Sequence, residues 1–199
     1  MNSLIPDVVD RLASIAPGSR LDALRAQRPE ARHSAQESYL ALFEPDELSG
    51  VSLEERFALA VFVAGLHREP EIGAYYAEGL ARNIIRPGLA EALAQETARA
   101  ATQGPYGRYP KGPLSAEDSE GLRYTVLEAD RELFGGRLAA ALEHAHFLVF
   151  HPRDAAPARL QALLDAGLST TDIVTLSQLV TFLTFQIRVV AGLRALDAA

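Results

Sequence analysis

The chain has 199 residues, enough for one domain with a sizeable core, and its 48% hydrophobic and 23% charged content is that of an ordinary globular protein. A formal net charge of −7, with one lysine (Lys111) and scattered arginines, leaves no basic stripe for a nucleic-acid partner. The absence of cysteine excludes disulfides, thiolate metal sites and any reaction on a cysteine sulfur.

The amino terminus, MNSLIPDVVDRL, has neither a positive leader nor an apolar run of signal-peptide length, so a cytoplasmic location is the expectation. Helical periodicity then runs almost throughout. Short amphipathic helices are predicted over 7–15 and 21–27. A third opens on Pro29, where the missing N–H costs nothing, and runs to about Phe43. Residues 44–50 form a loop. Ser52 and Glu55 have the spacing of a capping box and start a helix to about His67. Pro70 starts the next, to about Ile85, and Pro87-Gly88 separates it from one ending near Ala101.

Residues 102–121 hold three prolines, four glycines and two tyrosines, a composition that predicts a long irregular loop strapped over the surface. Beyond it the pattern predicts a helix over 122–134, a break at Gly135-Gly136 and a helix over 137–150 that His151-Pro152 ends. A helix over 155–166 stops at Gly167. Ser169 and Asp172 repeat the capping-box form ahead of a last helix to about Leu196. Its apolar stretch from Ile173 to Val190 is interrupted by Ser177, Gln178, Gln186 and Arg188, which reads as a buried helix and not a membrane span. The sum is one all-α domain, 1–199, of about nine helices packed on one another.

Two segments carry a resemblance: SLEERFALAVFVAGLHREPEIGAYYAEGLA (52–81) and LLDAGLSTTDIVTLSQLVTFLTFQIRVVAGLRAL (163–196). Together they resemble the AhpD-like superfamily of carboxymuconolactone decarboxylases and peroxidase-related alkylhydroperoxidases, in a cysteine-free subgroup. The resemblance implies an AhpD-like helical bundle and a homo-oligomer. The family's redox members use a Cys-x-x-Cys pair, with a histidine four residues on and an acidic residue at a helix start. With Glu55-Arg56 aligned to the family's pair, the cysteine positions fall on Glu69 and Ile72 and the histidine on Tyr76. A register two residues earlier puts His67 and Pro70 at the cysteine positions. No thiol is supplied in either register, so the resemblance leaves a cofactor-free decarboxylase or proton-transfer enzyme on a small organic acid, or a non-catalytic scaffold or small-molecule binder.

The residues themselves allow both readings. Glu55 is a capping carboxylate or a proton carrier. His67, with Glu69 and Glu71 near it, is an acid/base candidate or a polar elbow at a helix junction. His144 and His146 project roughly 200° apart on one helix, so with His151 they make no single metal site, though either can line an interior pocket. Arg188, among Phe182, Phe185 and Val189, reads as a buried charge needing a carboxylate partner, an interface or an anionic ligand. No cofactor is expected. The sharpest expectation is a common cavity between the helices starting at Ser52 and Pro70. Glu55, His67 or Glu69, and Tyr76 would point into it, with His144 or His146 on the far wall.

Overall fold

The computed structural model describes residues 6–48 and 50–198. Met1 to Ile5, on which the reading of the amino terminus partly rests, lie outside the described residues, as do Ser49 of the 44–50 loop and Ala199. Within them the chain is all-α, with nine helices and no strand. These are α1 (Val8–Leu12), α2 (Arg20–Ala26), α3 (Pro29–Phe43), α4 (Leu53–Leu66), α5 (Pro70–Asn83), α6 (Leu89–Ala100), α7 (Glu128–Phe150), α8 (Pro157–Asp165) and α9 (Thr170–Asp197).

Helix α4 is the hub, because beyond its charged first turn it is apolar all round from Phe57 to Leu66 and therefore packed on several sides. Phe57, Leu59, Phe62, Val63 and Leu66 are each at most 4% exposed, packed by α5, α6, α7 and α9. Its capping box is complete. The Glu55 amide donates to Ser52 Oγ at 3.2 Å, and the Ser52 amide donates to Glu55 Oε2 at 2.9 Å. Helix α9 starts the same way, with Asp172 N to Ser169 Oγ at 3.1 Å and Ser169 N to Asp172 Oδ2 at 2.9 Å. Such caps contribute about 1 kcal/mol each.

The two capped helices run parallel in a fixed register. Arg137 of α7 bridges Glu55 and Asp172 at one end, and His67 meets Thr184 at the other; both pairs are 117 residues apart. Helix α5 folds back against α4, so closely that a Cβ on Gly79 would sit 2.1 Å from the Phe57 ring. Helix α9 is long and apolar enough to cross a membrane by length and composition, and half of its most apolar stretch is buried inside the bundle.

One predicted helix is shortened. Residues 122–127 form no helix, and α7 begins only at Glu128. Tyr124 and Val126 turn inward while Arg123, Thr125 and Leu127 face out. Carboxylates from elsewhere take the amides a helix would use, Val126 N donating to Glu143 Oε1 at 3.0 Å and Leu127 N to Glu96 Oε1 at 3.2 Å, and the Tyr124 hydroxyl also donates to Glu96, Oε2, at 2.6 Å. The expected break at Gly135 exists as a kink inside α7, with φ 68° and ψ 160°. The 102–121 segment is an ordered strap. Tyr106 N donates to Phe150 O at 2.6 Å, Gly107 pairs with Ser119, and Arg153 lies over the Tyr109 ring at 4.1 Å.

Candidate functional site

Glu55 and His67 occupy opposite ends of α4. Twelve residues at 1.5 Å each put them about 18 Å apart, too far to share one reacting centre. The Glu55 carboxylate is engaged by its own cap and by Arg137 Nε at 3.3 Å. Arg137, which sequence reasoning did not single out, also donates to Gly167 O at 2.7 Å and Gly50 O at 2.8 Å, and lies 3.5 Å from Asp172. Burial pushes the Asp172 carboxyl up, but the Ser169 amide and hydroxyl with Arg137 outweigh it and hold the group below the usual carboxylate range.

His67 is half-buried at the C-terminal cap of α4, with Nε2 3.3 Å from Thr184 Oγ1. Burial lowers its pKa, and the nearby positive charge of Arg188 adds to that. The two carboxylates near His67 in sequence pair elsewhere. Glu71 lies 2.6 Å from Arg194 Nη2 and Glu69 3.8 Å from Arg194 Nη1, so the acidic start of α5 is tied to the end of α9.

Tyr76 is fully buried, and its surroundings are filled. Its ring packs against Phe43 (centroids 5.0 Å) and edge-on to Tyr75 (5.1 Å), whose hydroxyl meets that of Tyr39 at 2.7 Å. The Tyr76 hydroxyl donates to Gln186 Oε1 at 2.6 Å, and burial drives its pKa well above the ordinary phenol value. Gln186 is itself fully buried, and its Nε2 has no hydrogen-bond partner among the described residues.

The two histidines of α7 diverge as helical geometry requires. His144 Nε2 reaches Ser177 Oγ on α9 at 3.1 Å, while His146 Nε2 donates to Ala100 O at the end of α6 at 3.2 Å. Burial lowers the pKa of each to about 4; the charge of Arg159 adds to this at His144, and the hydrogen bond to Ala100 O opposes it only in part at His146. Each is neutral at pH 7. Among the described residues no group of three His, Asp or Glu side chains is placed to hold a metal ion.

Arg188 requires a correction. It is exposed, not buried, because it lies on the outward face of α9 with Thr181 and Phe185 while Gln186 and Ile187 take the inward positions. The candidate residues are thus distributed over four places: the Glu55–Arg137 node, the His67–Thr184 contact, the sealed Tyr76–Gln186 pair and the two divergent histidines. They do not form a common cavity.

A groove of about 1160 Å³ lies elsewhere, between α3 and the outer face of α9. Small side chains of α3 (Ala31, Ser34, Ala35, Ser38) form one wall, and Ser177 and Phe182 belong to the other. The signal for this wall was in the sequence, as Ala and Ser at helical spacing, a pattern without an evident chemical role. No family model, no curated protein and no solved structure matches this chain.

Proposed function

We propose that the chain is a thiol-free relative of the AhpD-like superfamily that works by binding and self-association, not by catalysis. The observation that supports this reading is the state of Tyr76, at the place where the resemblance puts the family's histidine. Its ring is enclosed by Phe43 and Tyr75, and its hydroxyl is committed to Gln186. A group so packed has no reacting atom to offer. Glu55, the family-like acid, is about 18 Å from His67 along the same helix and is neutralised by Arg137.

One observation favours a decarboxylase or proton-transfer reaction on a small organic acid instead. Among the described residues Gln186 Nε2 is a buried donor without a partner beside a phenol, and an acid oxygen would satisfy it. The test is direct. Purified protein is assayed for thiol-dependent reduction of an organic hydroperoxide and for decarboxylation of a small lactone acid, alongside Tyr76→Phe and His67→Ala. No turnover is expected in any of the three. Turnover by the parent chain that either substitution abolishes would overturn the non-catalytic reading.

A further inference from the structure

Between Thr171 and Arg188 the exposed positions of α9 follow a regular seam: Thr171, Val174, Gln178, Thr181, Phe185 and Arg188. The gaps alternate three and four, the 3.5-residue repeat of a helix that packs lengthwise on another helix. Val174 and Phe185 remain 51% and 47% exposed along it. Beside the seam, the Ala and Ser side chains of α3 keep the groove wall low, so a second helix can approach closely.

The seam is also symmetric about its midpoint. Laid antiparallel on itself, it sets Val174 against Phe185, an apolar pair, and Gln178 against Thr181, an amide against a hydroxyl. The same register brings Arg188 to the level of Thr171, at the end of α9 where Gly50 lies against Asp172; Glu47, on the same loop as Gly50, lines the groove. Among the described residues neither Arg188 nor Glu47 has an ion-pair partner within its own chain. Each unpaired charge would meet its opposite across a two-fold axis, twice per dimer.

Resting on the reading that this chain works by association, we propose that the occupant of the α3–α9 groove is a second copy of the chain, joined in an isologous dimer through antiparallel α9 seams. The antiparallel arrangement closes on itself and leaves no free groove to extend into a filament. The seam is about 25 Å long and two helices, about 20 Å, wide, giving a plan area on the order of 500 Å² per copy. Side-chain relief raises that toward the roughly 800 Å² per partner of a standard interface. The dimer is therefore specific but concentration-dependent.

Sedimentation of the full chain across about 1 to 100 µM should show a transition from 21.5 kDa toward twice that mass. Phe185→Glu should abolish it with the helical circular dichroism unchanged. Arg188→Glu or Glu47→Lys alone should weaken association about tenfold, and the two together should restore it. The absence of native cysteine permits a test that needs no disruptive change. When Gln178→Cys and Thr181→Cys chains are mixed under mild oxidant, the mixed disulfide should form faster than either homodisulfide. A monomer throughout, a dimer indifferent to Phe185→Glu, charge variants without mutual rescue, or homodisulfides forming as fast as the mixed one would each overturn the proposal. A monomer with no turnover sinks the dimer and the self-association it rests on but leaves the non-catalytic reading standing; a dimer with turnover that Tyr76→Phe abolishes sinks the non-catalytic reading and leaves the dimer standing.

Discussion

The Tyr76–Gln186 contact couples two buried polar side chains whose fates are tied. Tyr76→Phe removes the donor and leaves Gln186 with both amide atoms unsatisfied in the core. Gln186→Met removes the acceptor and strands the phenol hydroxyl. Each single change should cost about 1–3 kcal/mol, because an orphaned buried group forfeits its hydration without recompense. The double variant removes both polar partners, and also the unpartnered Nε2, so it should be more stable than either single variant. Urea denaturation of the four proteins measures this, and additive losses would show that the two side chains do not depend on each other. The pair was only half legible in the sequence. Tyr76 stood out through its alignment with the family's histidine, but Gln186 read as an interruption of an apolar run. Which side of α9 it faced depends on the whole bundle.

At the scale of elements, legibility followed how local the determining interaction is. Ser52-x-x-Glu55 and Ser169-x-x-Asp172 close their hydrogen bonds within four residues, and both helix starts were readable. Prolines placed the starts of α3 and α5 equally well. The start of α7 was misread because the amides of Val126 and Leu127 are taken by Glu143 and Glu96, residues 17 and 31 positions away. The glycine pair in α7 offers a sharp contrast. Gly135 sits at φ 68°, ψ 160°, a region essentially closed to side-chain-bearing residues, so Gly135→Ala should cost about 1–3 kcal/mol. Gly136, one residue on, lies in helix with open space around a Cβ, so Gly136→Ala should stabilise by about 0.5–1 kcal/mol. Thermal melts of the two variants should move in opposite directions. Equal shifts would mean that the kink does not survive in solution.

Across the whole molecule, the candidate residues failed to converge because the bundle uses α4 and α9 as parallel struts, clamped by Arg137 at one end and closed by His67 against Thr184 at the other. Sequence spacing had placed Glu55 and His67 on one helix; only the expectation that they met in one cavity ignored its length. The same interior makes the fold pH-sensitive in one direction. His144 and His146 are buried neutral, with pKa values of about 4 against an ordinary 6.5. The unfolded chain therefore binds protons on both between pH 6.5 and 4 while the folded chain does not. Their contribution is intact above pH 6.5 and is lost as pH falls toward 4, by on the order of 3 kcal/mol for each histidine. Glu54, Glu96 and Asp172 act in the same sense at lower pH. Burial raises each, but Arg86, Arg99 with Tyr124, and Ser169 with Arg137, together with backbone amides, outweigh it and hold all three below their usual range. Their stabilisation is present above the unfolded carboxylate pKa and fades below it. Denaturant midpoints should accordingly be flat from pH 8 to about 6.5 and then fall steeply. His146→Gln, which keeps a donor toward Ala100 O but cannot titrate, should reduce the slope between pH 6.5 and 4 by close to one proton. An unchanged slope would mean that water reaches His146 in the folded chain and that α7 does not seal against α6.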